Sequence, residues 1–183
     1  EINKDGPESS KKYAISFEGM KNISKVNKDL LNAHFTILPF KVLSMIHSKE
    51  DNAIKCIVEL TDKKTIECVV LKEKKYITLC ISSQCGCPVD CKFCLTGVVG
   101  FKRNLLPEEI VGQVLLACHH EYIVSNLVFM GMGEPLLNFD NVFKAIELIQ
   151  SEDGFQIGNR RVTISTAGYL KGIERLIKEE KYV

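Results

Sequence analysis

At 183 residues the chain has room for one ordinary domain with, at most, a small second one. Its hydrophobic share of 45% and charged share of 26% are those of a globular protein, not of a disordered or fibrous one. A formal net charge of +1 argues against a generally basic nucleic-acid binder, although a local basic patch could still serve, and no apolar run approaches the about 20 residues that cross a bilayer.

Residues 1–12 (EINKDGPESSKK) are polar, contain Gly6 and Pro7, and read as a frayed lead. No charged-then-apolar leader stands at the start, and the first residue is Glu1, so the natural start is expected upstream. Between Phe17 and Phe35, Ile23, Val26, Leu30 and Leu31 recur at helical spacing, with Asn22 or Ser24 as caps. Leu38 to Ile46 predicts a strand. Ala53 to Leu60 alternates, a polar turn follows at Thr61–Lys64, and Thr65 to Leu71 returns, which predicts a hairpin. These segments make a small β-rich N-terminal unit.

Tyr76 to Ser82 predicts the next strand, and it runs into CISSQCGCPVDCKFC, Cys80 to Cys94, which holds five of the chain's eight cysteines. Pro107, Glu108 and Glu109 suit a helix N-terminus, with Ile110, Val111, Val114, Leu115 and Cys118 as its apolar face. Asn126 to Met130 is a short apolar strand of the kind buried in parallel sheets. It ends in Gly131-Met132-Gly133-Glu134-Pro135. A helix from Phe139 to Gln150, a strand from Arg161 to Ser165 and a helix from Leu170 to Lys181 complete the pattern. Strand, loop and helix in that order, three times, predict an α/β fold with a parallel sheet. The unfinished pattern at Val183 would leave an apolar edge, so the fold is expected to continue.

Cys87, Cys91 and Cys94 form a CxxxCxxC run whose thiolates can converge on one metal centre from a single loop. Iron–sulfur clusters take cysteine thiolates, and three protein ligands for four irons leave one iron open for chemistry. A closed zinc site with Cys80 or Cys85 as fourth ligand and a disulfide framework are the alternatives; zinc sites usually pair two distant knuckles, and disulfides suit secreted chains. Phe93 would set an aromatic ring against the cluster or its ligand. The remaining thiols, Cys56, Cys68 and Cys118, lie in apolar segments and read as small buried hydrophobes. In GMGEP, Gly131 and Gly133 let the chain turn and a ligand approach, and Glu134 is a lone carboxylate suited to an ammonium group. Ser165 and Thr166 could bind a polar ligand or cap the next helix. All these segments follow strand C-terminal ends, where α/β active sites are built.

Taken together, TLCISSQCGCPVDCKFC, GFKRNL, EEIVGQV, VFMGMGEPLLNFDNV and RRVTISTAG resemble the RlmN/Cfr family of radical S-adenosylmethionine (SAM) RNA adenine methyltransferases, from about Phe17 onward. The resemblance implies an α/β fold consisting of a partial (β/α) radical SAM barrel of about three βα units. It divides the chain into a lead (1–16), an accessory unit with the hairpin (17–75) and the first half of the barrel (76–183). It implies a [4Fe–4S] cluster on Cys87, Cys91 and Cys94, and SAM chelating the open iron and bound by Gly133, Glu134 and Ser165. Reductive cleavage of SAM would give a 5′-deoxyadenosyl radical. That radical would act on a methylated cysteine beyond residue 183, whose methyl carbon then adds to an adenine carbon, C2 or C8. Glu67 would be the proton acceptor and Cys80 the resolving cysteine. The reading implies methylation of 23S rRNA and of tRNA in the cytoplasm or an organelle, an electron donor for the cluster, no membrane partner and a monomeric full-length enzyme.

Cys85 departs from the family's pattern, where a small apolar residue is usual, and a spare thiol there could compete for iron. The 183-residue chain alone is expected to bind the cluster poorly and not to methylate RNA. A non-catalytic iron–sulfur or zinc module, or a radical SAM enzyme with another substrate, are the rival readings. Lys102-Arg103 and Arg160-Arg161 are candidate phosphate contacts without an assigned site.

Overall fold

The computed structural model describes residues 13–180, so the expected lead at 1–12 and the end of the last helix at Lys181 lie outside the described residues. Helix α1 (Lys25–His34) starts at Ser24, whose Oγ accepts the backbone N–H of Asn27 at 3.3 Å. This is the N-cap geometry that satisfies one of the free amides of a first turn. Two of its apolar residues are exposed, Val26 by 76% and Leu30 by 60%, while Leu31 is half-buried.

Strands β1 (Phe40–His47), β2 (Ile54–Leu60) and β3 (Thr65–Lys72) form an antiparallel meander. β3 then pairs antiparallel with β4 (Ile77–Cys80). From β4 onward the sheet turns parallel: β4 pairs with β7 (Asn126–Phe129) and β7 with β8 (Val162–Ile164), giving one six-stranded sheet in the order β1-β2-β3-β4-β7-β8. Helices α3 (Pro107–His119) and α4 (Phe139–Gln150) make the two crossovers, and α5 (Leu170–Lys178) follows β8. Three strand–helix units are therefore present, as the hydrophobic periods imply. The antiparallel meander and the parallel strands share one sheet and one core.

Period-two alternation gives the sheet two unlike faces. Ile54, Cys56, Val58, Ile66, Cys68, Val70, Leu79, Leu127 and Val162 lie on the face that joins the core with Ile110, Val114, Val142, Ile146 and Ile149 of the helices. Full burial of each such aliphatic side chain contributes about 1.5–3 kcal/mol. The other face carries Lys55, Glu67, Thr78, Cys80, Asn126 and Thr163, and its members are half-buried or exposed.

Two short pieces went unforeseen. Gln84–Cys85 (β5) and Arg103–Asn104 (β6) pair antiparallel, and Leu95–Val99 is a one-turn helix, α2. Neither has enough residues to show a hydrophobic period.

Candidate functional site

The cysteine loop, residues 86–102, is gathered at its root by the β5–β6 ribbon, and the Lys102 N–H donates to Cys85 O at 2.9 Å. Cys87, Cys91 and Cys94 all lie on this loop and all are partly accessible. Burial pushes the Cys87 thiol up, with the neighbouring charges of Cys91, Cys94 and Glu134 acting the same way. Those sulfurs and that carboxylate are thus close enough to feel one another. Cys94 stands at the N-terminus of α2, and the backbone N–H groups of Thr96 and Gly97 hold its thiol below the ordinary value. An anion-favouring amide environment stabilises the thiolate, the form that ligates metal. Phe93 is 93% exposed, so its ring does not pack back over the loop.

Cys85 points elsewhere. It is 3% exposed and its Sγ donates to Thr65 O at 3.6 Å, under strand β3. The expected competition for iron is absent from the geometry, because alternation along β5 turns Cys85 to the core. Cys56 and Cys68 are buried cross-strand neighbours, and burial pushes the Cys118 thiol up to about 11. Among the described residues no three Cys, His, Asp or Glu side chains converge as they would on a single ion. Cluster ligation differs, since each thiolate bonds its own iron. Three thiols on one loop, with the fourth buried away, fit such a cluster.

The segment after β7 lies directly on the segment after β4. The Gly131 N–H donates to Ile81 O (3.0 Å), and Met132 O accepts from Ser83 N (2.9 Å) and Gln84 N (3.1 Å). A Cβ on Gly131 would meet Ile81 backbone at 2.7 Å; at Gly133, with φ +104°, it would meet Gln84 Cβ at 2.5 Å. These glycines are thus required by contact between two chain segments, a stronger reason than the ligand approach expected from the sequence.

Glu134 is likewise not the lone acid expected. It is 3% exposed; its Oε1 accepts from Leu136 N (3.0 Å) and its Oε2 from Ala167 N (2.7 Å). The carboxylate clamps the GMGEP turn to the loop after β8, and each oxygen keeps one further lone pair. Ser165, two residues before Ala167, is exposed. Neither Ser165 nor Thr166 caps α5, whose N-cap position is Tyr169; Thr166 Oγ1 instead accepts the Gly168 N–H at 3.1 Å. The structure thus gathers Cys87, Gly133, Glu134 and the 165–167 loop at the C-terminal end of the parallel strands.

Glu67 and Cys80 share the open sheet face. Cys80 stands opposite Val69, and Glu67 is two residues before Val69 on the same side of β3. Diagonal neighbours of this kind have Cα atoms about 7–8 Å apart. Glu67 pairs with Lys55 Nζ at 3.1 Å. Burial pushes the Cys80 thiol up, partly offset by a hydrogen bond with the Met130 backbone.

Of the basic pairs, Arg103 is spoken for. Its guanidinium donates to both carboxylate oxygens of Glu109 (2.7 and 2.8 Å), to Asp62 Oδ2 (2.7 Å) and to Asn104 O (3.0 Å). It cannot also serve as a phosphate contact. Arg161 donates to Asn126 Oδ1 at 3.2 Å and lies over Tyr76. Sequence reasoning passed over the polar residues that hold the loop's root: the buried Gln84, Glu109, Gln113 and Asn138 and the half-buried Asn104. Gln113 Oε1 accepts from Ser82 N (2.9 Å) and its Nε2 donates to Ser82 O (3.0 Å). Asn138 Nδ2 donates to Ser83 O (2.7 Å) and Leu105 O (2.8 Å). Only Gln113 carried a sequence signal, as a polar side chain inside the otherwise apolar face of α3.

Comparison with known proteins places this geometry. The family model of the radical SAM superfamily matches residues 81–182. The probable dual-specificity RNA methyltransferase RlmN of Pseudothermotoga lettingae is 46% identical over 170 residues, covering 92% of this chain and 50% of that protein. The protein of the same name from Aquifex aeolicus is 40% identical over 171 residues, covering 92% and 49%. The dual-specificity RNA methyltransferase RlmN of Halorhodospira halophila is 45% identical over 168 residues, covering 90% and 46%. The crystal structure of a radical SAM methyltransferase from Sphaerobacter thermophilus superposes with a TM-score of 0.85 at 31% identity, covering 92% of this chain and 50% of that one. The chain spans about half the length of the curated relatives it matches. With a matching model over more than half its length, a parallel sheet of the same fold and the three-cysteine loop at its strand ends, the chain belongs to the radical SAM superfamily.

Proposed function

We propose that this protein takes part in SAM-dependent radical methylation of an adenine ring carbon, C2 in preference to C8, in 23S rRNA and tRNA. The observation that carries the reading is the meeting, at one end of the sheet, of the three-thiol loop with the GMGEP turn and the 165–167 loop. Similarity to relatives named as RNA methyltransferases supports the substrate class.

In this reading Cys87, Cys91 and Cys94 would hold a [4Fe–4S] cluster. When bound and reduced by a partner protein, such a cluster supplies the electron that cleaves SAM. Gly133, Glu134 and Ser165 would bind SAM: the buried Glu134 carboxylate, already fixed by two backbone amides, offers its free lone pairs to an ammonium group. Glu67 would take the proton lost from the adenine ring, and its ion pair with Lys55 keeps its side chain on the open face. Cys80 would resolve the protein–RNA adduct. Burial keeps that thiol protonated at neutral pH, which makes it a poor nucleophile until a base takes its proton. The methyl-carrying cysteine would lie outside these 183 residues. An adenine must leave its stack to reach such a face, as enzymes acting on bases commonly require. A monomer working in the cytoplasm completes the proposal.

Anaerobic reconstitution of the complete gene product with iron and sulfide tests it. Brown absorbance and a reduced-cluster electron paramagnetic resonance (EPR) signal that changes on adding SAM are expected. A colourless protein retaining zinc would instead support a metal-binding module. In the complete gene product, label from SAM should reach an adenine carbon of rRNA, and label on another molecule would shift the substrate.

A further inference from the structure

The polar groups buried at the root of the cysteine loop have no part in the roles assigned above. Gln84, on β5, is 1% exposed. Its Nε2 donates to Asn104 Oδ1 (2.8 Å), on the returning strand β6. Its Oε1 accepts the backbone N–H of Glu134 (2.9 Å), and its own N–H donates to Met132 O (3.1 Å). Glu134 in turn accepts from Ala167 N at 2.7 Å. An unbroken run of bonds therefore leads from β6 through Gln84 and Glu134 to the loop that carries Ser165. A carboxamide suits the middle of that run, since it donates on one side and accepts on the other. Gly133, with no side chain, leaves the space into which the Gln84 stem fits.

We propose that Gln84 is a positioning residue, whose carboxamide holds the cysteine loop and the GMGEP turn in one fixed relation. The inference rests on the function proposed above. Groups that orient ligating or binding side chains in this way typically change affinity 10–100-fold when removed, and loosely supported sites lose function through sub-ångström slack. A rival role is plain stability: a buried amide that must be satisfied because it is buried. The two differ in what they predict for a protein that still folds and still takes up iron.

The test compares wild type, Gln84→Met and Gln84→Glu after anaerobic reconstitution, reading iron content, circular dichroism and the SAM concentration that half-converts the EPR signal. Gln84→Met should keep its iron and fold but need about 10–100-fold more SAM. Gln84→Glu, which keeps the acceptor toward Glu134 and can take a donor from a turned Asn104 amide, should recover most of that loss. Should Gln84→Met fail to fold, Asn104→Ala, which cuts the run at β6, is expected to weaken SAM binding with iron retained. Wild-type SAM response in Gln84→Met overturns the inference, as does loss of iron, fold and SAM response together in both Gln84→Met and Asn104→Ala. A wild-type cluster indifferent to SAM overturns the proposed function as well, so the two failures are told apart.

Discussion

Arg103→Met should be the most informative single perturbation of the scaffold. Arg103 ties three elements together: the β2–β3 turn through Asp62, strand β6 through Asn104 O, and the first turn of α3 through Glu109. The Glu109 side chain is 3% exposed and that of Arg103 27%. Removing one partner of a fully buried pair costs about 3–5 kcal/mol, because the other charge stays buried and unpaired. Glu109 keeps one bond, from Leu106 N at 2.9 Å, and water can reach part of the vacated Arg103 site. The expected loss is therefore nearer about 2–3 kcal/mol. At about 2–4 °C per kcal/mol for a chain of this size, Tm should fall by about 4–12 °C. Urea denaturation followed by circular dichroism measures the change directly. Arg103→Met/Glu109→Leu should recover about half or more of it, since apolar replacement of a buried pair is often neutral. A single variant within about 0.5 kcal/mol of wild type, or a double variant worse than the single, would refute the reasoning.

The same network sets an acid limit. Hydrogen bonds from Arg103 and Lys64 hold the Asp62 carboxyl well below its usual range. A depressed folded pKa contributes stability that is complete above the unfolded value, near about 4, and is lost as pH falls through the folded value; Arg103→Met should flatten that acid limb in Tm measured from pH 7 to 2. Cys85→Ala should leave iron uptake unchanged on reconstitution, whereas Cys87→Ala, Cys91→Ala and Cys94→Ala should each lose it; equal loss in Cys85→Ala would make it a ligand. In the metal-free protein at neutral pH, Cys94, held low by backbone amides, should be alkylated by iodoacetamide well before Cys80, which burial pushes up. Peptide mass spectrometry gives the order, and a faster Cys80 would contradict it.

The secondary structure was legible because its physical cause is local. Alternation in AIKCIVEL and TIECVVL can bury one face of a hairpin, and Pro107-Glu108-Glu109 can begin a helix wherever it stands. The grouping of Cys87, Cys91 and Cys94 was legible too, since their spacing alone puts them on one short loop. Glu134 shows where that reach ends. Its neighbours in the chain present it as a free acid, yet its carboxylate accepts from Ala167 N, 33 residues away, and its backbone N–H donates to Gln84 Oε1, 50 residues away. Cys85 is the converse case: a near neighbour of those three cysteines in sequence, it is buried with its thiol on Thr65 O instead of lying on their loop. Arg103 read as half of a basic surface pair until the fold brought Asp62 and Glu109 to it. Period and spacing are properties of a segment, so the chain alone settles them; whether a polar group is free or engaged depends on residues that only folding brings near.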